Sequence, residues 1–209
     1  ENGDIALTAT YPVGVTGSVD YTGQSIGASG TITESLDNTT STPQTVTYTF
    51  TASANGCPVQ VTSVTVVVDP TPNFTNLPAA ASICSGDQLN FTPTSDVTGT
   101  VFTWTSGSPT NITGNTDGIG AITDILTNTG DDIETVTYVV TATGPGPESC
   151  VNAMTQNYVV TVNPAVTQTI TNNDAIVCEG IAVDIDYDTP TENGDIALTA
   201  TYPVGVTGS

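Results

Sequence analysis

The chain has 209 residues, 21 of them Asp or Glu and none of them Lys, Arg or His, so its formal charge is -21. That composition excludes Ser/His and Cys/His nucleophile pairs, imidazole bases, Schiff-base lysines and side-chain phosphate clamps. It also excludes nucleic-acid binding by counterion release, which needs cations.

Membrane insertion is excluded by the lack of any apolar run near the ~18 residues a span requires. A pair of carboxylates remains chemically able to hydrolyse a glycoside. Here the acids scatter through turns and solvent faces, the usual arrangement for solubility, so the chain is read as a non-enzyme. Charged residues make up only 10% of the chain and hydrophobic ones 37%, while Thr supplies about a fifth. Disordered polyanions have the opposite balance, and Thr, Val and Ile suit a pleated, half-buried backbone. An all-β, folded, extracellular protein is expected. It offers trypsin-like proteases no cleavage site and has no Lys for an isopeptide cross-link.

Residues 1–18 return letter for letter as residues 192–209, which sets a period of 191. Such self-similarity marks a tandem array, and the segment is expected to be a window on a longer chain that starts and stops inside a unit. Within the period lies a second, weaker repeat. Cys84–Gly114 aligns with Cys178–Gly208 at an offset of 94, matching Cys84 with Cys178, Gly86 with Gly180, Thr105 with Thr199 and Pro109 with Pro203. Alternation survives where identity does not. Leu89 and Phe91 stand opposite Val183 and Ile185, and Phe102 and Trp104 opposite Ile196 and Leu198. Alternate apolar residues mark strands with one face in a core.

In chain order, Thr45–Ser53 and Val59–Val68 read as strands joined through Asn55-Gly56, a strong hairpin signal. Asp69-Pro70-Thr71-Pro72 follows as a short, stiff linker. Seven strands are then expected at Ser82–Cys84, Gln88–Thr92, Val101–Thr105, Asn111–Gly114, Ala121–Thr127, Ile133–Thr143 and Val151–Val162, with Asn163-Pro164 closing the unit. This count fits an immunoglobulin-like two-sheet sandwich. The expected division is an incomplete sandwich at 1–72 lacking its first strands, a complete one at 73–166, and the first strands of the next, of the same type as 1–72, at 167–209. An extended filament with two sandwiches per period follows. In it, a segment equivalent to Val177–Asp188 from the preceding copy covers the open flank of 1–72.

Ala54-Asn55-Gly56-Cys57, the Val-rich strand, Asp69-Pro70-Thr71-Pro72 and Ile83-Cys84-Ser85-Gly86 together resemble PKD-like (polycystic-kidney-disease-type) domains. The second unit repeats the pattern with Cys150, Asn163-Pro164 and Val177-Cys178-Glu179-Gly180. Such tandem repeats are familiar from giant surface adhesins of gliding Bacteroidota. The resemblance spans essentially the whole chain and rests on scaffold motifs. It implies an extracellular, cell-surface stalk exported by the type IX route and used in attachment or gliding. Its partners are neighbouring repeats of the same chain and other copies in a filament. A surface-layer or carbohydrate-binding module is the rival reading. One departure is visible: Trp104 is followed by Thr105-Ser106-Gly107-Ser108, not by an Asp-rich turn.

The four Cys show no CxxC spacing and have no His to complete a zinc site. An extracellular β-domain therefore points to disulfides: Cys84 with Cys150 inside the central domain, and Cys57 with Cys178 between neighbouring copies. Calcium is the one cofactor the acids suggest. Asp131, Asp132 and Glu134 are the candidate ligands, with the junction near Asp69 as a second location. Asp184, Asp186 and Asp188 alternate along one expected strand and read as a solvated face. Trp104 reads as a core anchor, and Tyr48 and Tyr138 as corner tyrosines bonded to backbone. The Asn38, Asn73, Asn90 and Asn111 sequons carry no weight in so Thr-rich a chain.

Overall fold

The computed structural model describes residues 3–55, 57–76, 79–146, 150 and 155–207, and no helix occurs among them. Fifteen strands are distributed over five sheets. In the first unit, β1 (Asp4–Thr10), β3 (Gln24–Ser25), β5 (Gln44–Ser53) and β6 (Gln60–Val68) form one sheet in the order β3-β1-β5-β6. Opposite it lie β2 (Val15–Gly17) and β4 (Leu36–Asn38), paired with each other. In the second unit, β8 (Val101–Ser106), β10 (Gly118–Ile119), β12 (Glu134–Thr143) and β13 (Gln156–Asn163) repeat the pattern as β10-β8-β12-β13. The opposing layer again holds a two-stranded pair, β9 (Ile112–Thr113) with β11 (Thr127–Asn128). The second unit has one addition. Strand β7 (Ala81–Cys84) pairs parallel with β13, setting Val160 opposite Ala81 and Asn163 opposite Cys84.

Alternation explains which residues turn inward. Along β12, Val136, Tyr138, Val140 and Ala142 are buried while the residues between them are not. Along β13, Tyr158, Val160 and Val162 are buried in the same way. With Phe102 and Trp104 of β8 they meet Leu89, Ile112, Ile122 and Leu126 of the opposite layer in a single core. The first unit has the smaller core, with Leu7, Val15, Tyr21, Val46 and Tyr48 as its buried members. Its outer strand β6 is exposed along most of its length. Val66 holds the place of Val160, yet it is 43% exposed against 0%. The cause is the strand order, because β13 is covered by β7 and β6 has no strand on its outer edge among the described residues.

Several sequence expectations need adjustment. Gln88–Thr92 and Ala121–Thr127 do not form continuous strands and meet only at the bridges Gln88–Ile125 and Phe91–Ile122. Strand β10 was absent from the expected set. It forms because Gly118 lets the chain lie against Trp104, where a Cβ would come within 2.4 Å of the indole. The chain does reverse at the expected place between β5 and β6, with Cys57 N–H donating to the Ala54 carbonyl across the turn and Asn55 at a φ of +32°. Pairing resumes at Ala52–Gln60, one residue out of step with a plain two-residue hairpin, and Gly56 lies outside the described residues. The start of the expected last strand, at 151–154, also lies outside them. After the second unit, β14 (Thr169–Asn172) and β15 (Ile185–Asp188) pair as a hairpin exposed on all sides.

Candidate junction site

The sites where residues from different units meet are the joints along the chain, and the first lies between β6 and the second unit. Proline fixes the path there, and Pro70 and Pro72 are both fully buried. The β12–β13 hairpin of the second unit leans back onto this segment. Gly144 N–H donates to the Cys150 carbonyl at 2.6 Å, and the Cys150 thiol donates to the Asp69 carbonyl at 3.8 Å. A side chain at Gly144 would be crowded, since a Cβ would sit 3.1 Å from the Cys150 oxygen, 3.3 Å from the Pro70 oxygen and 3.4 Å from the Pro72 ring. Beside this contact runs an open cleft of about 620 Å³, lined by Asn38, Val66, Val67, Val68, Asp69 and Cys150 among others.

The far end of each unit is held by an asparagine. Asn128, buried, donates through Nδ2 to the carbonyls of Val162 (2.9 Å) and Asp132 (2.8 Å), and its Oδ1 accepts from Gly130 N–H. Asn38 does the same in the first unit, donating to Val68 and Thr42 and accepting from Thr40. Each asparagine thus ties the turn before β5 or β12 to a carbonyl at the end of β6 or β13, Val68 or Val162, just before the linker begins. Sequence reasoning missed both. The signal was present, because each Asn stands six residues before the first residue of the following long strand.

The cysteines are all free thiols, and the expected Cys84–Cys150 bridge is not made. Cys84 lies opposite Asn163, at one end of β13. Cys150 belongs to the hairpin tip that precedes Gln156, at the other end of that eight-residue strand. At about 3.3 Å per residue the two are more than ~20 Å apart, far outside the ~7 Å limit for a disulfide. Membership of one domain was mistaken for proximity. Cys57 and Cys178 are exposed, and the copy that would pair them is not in this chain.

The expected calcium ligands Asp131, Asp132 and Glu134 are not gathered around one point. Among the described residues no three Asp, Glu or Cys side chains converge to hold a metal ion, at Asp131–Glu134 or near Asp69. Glu134 is engaged by Asn111 Nδ2 at 2.9 Å. Asp131 and Asp132 contribute backbone carbonyls, to Glu192 N–H and Asn128 respectively. Glu192 Oε2 in turn accepts from Ile133 N–H at 2.7 Å. The cluster is therefore a contact point for the third segment. Asp186 accepts from Asn173 Nδ2 across the β14–β15 hairpin, on its exposed surface.

Tyr48 and Tyr138 bond to carboxylates instead of backbone. Tyr138 Oη donates to Asp124 Oδ2 at 2.7 Å, and Tyr48 Oη to Glu34 Oε1. Tyr11 shares Glu34. Burial first, then the hydrogen bond and the charge of Glu34, push the Tyr11 hydroxyl up to about 12. Burial and the carboxylate partner raise Tyr48 and Tyr138 in the same sense. Trp104 is buried, as a core anchor should be, and its Nε1 has no hydrogen-bond partner.

No curated protein matches the chain. The PKD-like domain family matches residues 2–72 and again residues 81–166, which is most of the sequence. The two matched stretches carry the two sheets that share one strand order, and the chain belongs to the PKD-like domain family as a tandem of immunoglobulin-like β-sandwich units.

Proposed function

We propose that the chain is a structural spacer, one period of a long extracellular surface filament or adhesin stalk that serves attachment or gliding. PKD-like domains are commonly extracellular structural modules, and this all-β fold is typically non-enzymatic. The observation that carries the reading is the edge of β6. The second unit is closed by β7, the first has no such strand among the described residues, and the matching sequence stands at Ala175-Ile176-Val177-Cys178. With residues 1–18 repeated at 192–209, that segment of a preceding copy falls in the right place to close the first unit. Units joined this way contact only their neighbours and extend in one dimension. A carbohydrate platform is disfavoured because the one Trp is buried under Gly118.

The test is a chain of two consecutive periods, residues 1–191 followed by 1–209, compared with the single chain by small-angle X-ray scattering. Ten or so residues of strand, about 33 Å, and the linker that follows set a rise of about 40 Å per domain, so each added period should lengthen the particle by roughly 80 Å. A gain under about 40 Å would mean that the units pack side by side, and the spacer reading would fall.

A further inference from the structure

We propose that disulfides in this protein staple successive units across each junction, joining the strand-β7-type cysteine of one unit to the hairpin-tip cysteine of the next. In a longer array Cys150 would bond Cys178 of the preceding copy, and Cys84 would bond Cys57 of the following copy.

The argument begins with register. In the second unit β7 runs parallel to β13 with Cys84 opposite Asn163. The long hairpins of the two units superimpose in register, since Glu134 pairs Val162 and Gln44 pairs Val68. Asn163 therefore corresponds to Asp69, and each is followed by proline. A strand closing the first unit as β7 closes the second would place Ala175 opposite Val66 and Cys178 opposite Asp69. Neighbouring strands are about 4.8 Å apart, which is the Cα separation expected between that Cys178 and Asp69.

The second observation is independent of the first. Cys150, from the other unit, already sits at Asp69 with its thiol 3.8 Å from the Asp69 carbonyl. It also lines the cleft that runs beside Val66, Val67 and Val68, where the closing strand would lie. Both cysteines are thus brought to Asp69 in the same cleft, the approach that the ~4.4–6.8 Å Cα separation of a disulfide requires. The same construction applies one junction later. Cys84 is exposed at the Asn163-Pro164 end of its unit, and Cys57 occupies the β5–β6 tip as Cys150 occupies the β12–β13 tip. Each junction then has one cysteine from each side and none is left over.

Bond formation consumes a disulfide oxidant. One cysteine thiolate attacks the oxidant's disulfide, forming a mixed disulfide and releasing one thiolate. The second cysteine thiolate then displaces the other oxidant sulfur, so two protein thiols are oxidised and one external disulfide is reduced to two thiols. Covalent staples at every joint would let a filament bear tension without separating its units.

The inference rests on the head-to-tail array proposed above, and the test separates the two. The two-period chain is oxidised with glutathione disulfide, blocked with an alkylating reagent and cut with an Asp-directed protease, which leaves each cysteine on its own peptide. Mass spectrometry should find Cys150 linked to Cys178 and Cys57 linked to Cys84. Cys150→Ser should abolish the first link and keep the second, and Cys84→Ser the reverse, with scattering curves unchanged. A Cys84–Cys150 or Cys57–Cys178 link, or thiols that remain fully alkylated, overturns the proposal. An elongated particle with free thiols overturns the staples alone, whereas a particle that fails to elongate overturns the array as well.

Discussion

Replacing Asn128 with Ala should destabilise the second unit by about 2–6 kcal/mol, a large effect for one residue in a turn. The change removes three hydrogen bonds: two donated by Nδ2 to Val162 and Asp132, and one accepted by Oδ1 from Gly130. The bond to Val162 is itself buried. Its carbonyl would lose its partner without gaining water, at a cost of about 1–3 kcal/mol. The Asp132 and Gly130 groups lie at a turn and can rehydrate, so each lost bond there costs roughly 0.5–1.5 kcal/mol. Urea unfolding followed by Trp104 fluorescence is the assay, because the single Trp sits in this core and reports this unit. Asn128→Asp is the sharper variant. It keeps the shape and the acceptor but has no hydrogen to give the two carbonyls. Its loss should equal or exceed that of Asn128→Ala. Asn38→Ala should leave the Trp104 transition in place, since its bonds lie in the first unit. A loss below about 1 kcal/mol for Asn128→Ala would refute the idea that the asparagine holds the end of β13.

Gly118→Ala pushes a methyl group into the Trp104 ring, 2.4 Å from the nearest ring atom, and should cost about 1–3 kcal/mol by overpacking. Gly120→Ala, with open space around its Cβ but a φ of +85°, serves as the comparison for backbone strain alone. The tyrosine hydroxyls set an alkaline limit. Tyr11, Tyr48 and Tyr138 are all raised in the folded state, so the folded protein holds protons that the unfolded chain releases near pH 10. Stability from these groups is complete below pH 10 and should fall as pH rises from 10 towards 12. Tyr138→Phe, monitored by Trp104 fluorescence, should flatten that fall in the second unit, and an unchanged alkaline slope would exclude Tyr138 as its source.

The alternation of Val136, Tyr138, Val140 and Ala142 was enough to place β12 and its inward face, and the offset of 94 was enough to pair the units. What sequence could not supply was end-to-end position. Cys84 and Cys150 align well as members of one domain, yet a strand separates them, because alignment carries equivalence and not distance. Phe91 and Ile122 lie in runs with strand periodicity, yet they meet only at an isolated bridge. Strand β10 escaped for the opposite reason. Gly118 carries no hydrophobic signal, and what fixes it is the ring of Trp104 pressed against the chain. The tyrosine partners were misjudged because a corner tyrosine bonded to backbone is the common arrangement. A carboxylate at the matching position of both units, Glu34 and Asp124, takes its place here.

A chain with no cations cannot form a side-chain salt bridge, so its carboxylates must act in another way. The structure shows how: Asp96 accepts from the backbone and side chain of Asn73, Asp117 from the Ser106 N–H, and Asp124 from Thr116 and Tyr138. Burial works against Asp96, but the bonds from Asn73 and Ser95 prevail and hold its carboxyl below the usual range. These are short-range, charge-assisted bonds that salt hardly weakens. The 21 negative charges, in contrast, repel one another over distances that salt does screen, beyond about 8 Å at physiological strength. With attraction unscreened and repulsion screened, stability should rise as sodium chloride is added from low concentration. The opposite would hold for a protein laced with ion pairs. Because no metal-holding cluster exists among the described residues, choline chloride at equal ionic strength should act as sodium chloride does, and calcium should add nothing beyond its ionic strength. Thermal unfolding in the three salts is the measurement. A melting temperature that falls with sodium chloride would show that attraction between charges dominates after all. A step specific to calcium would show that the carboxylates gather around the ion in a way this arrangement of side chains does not provide.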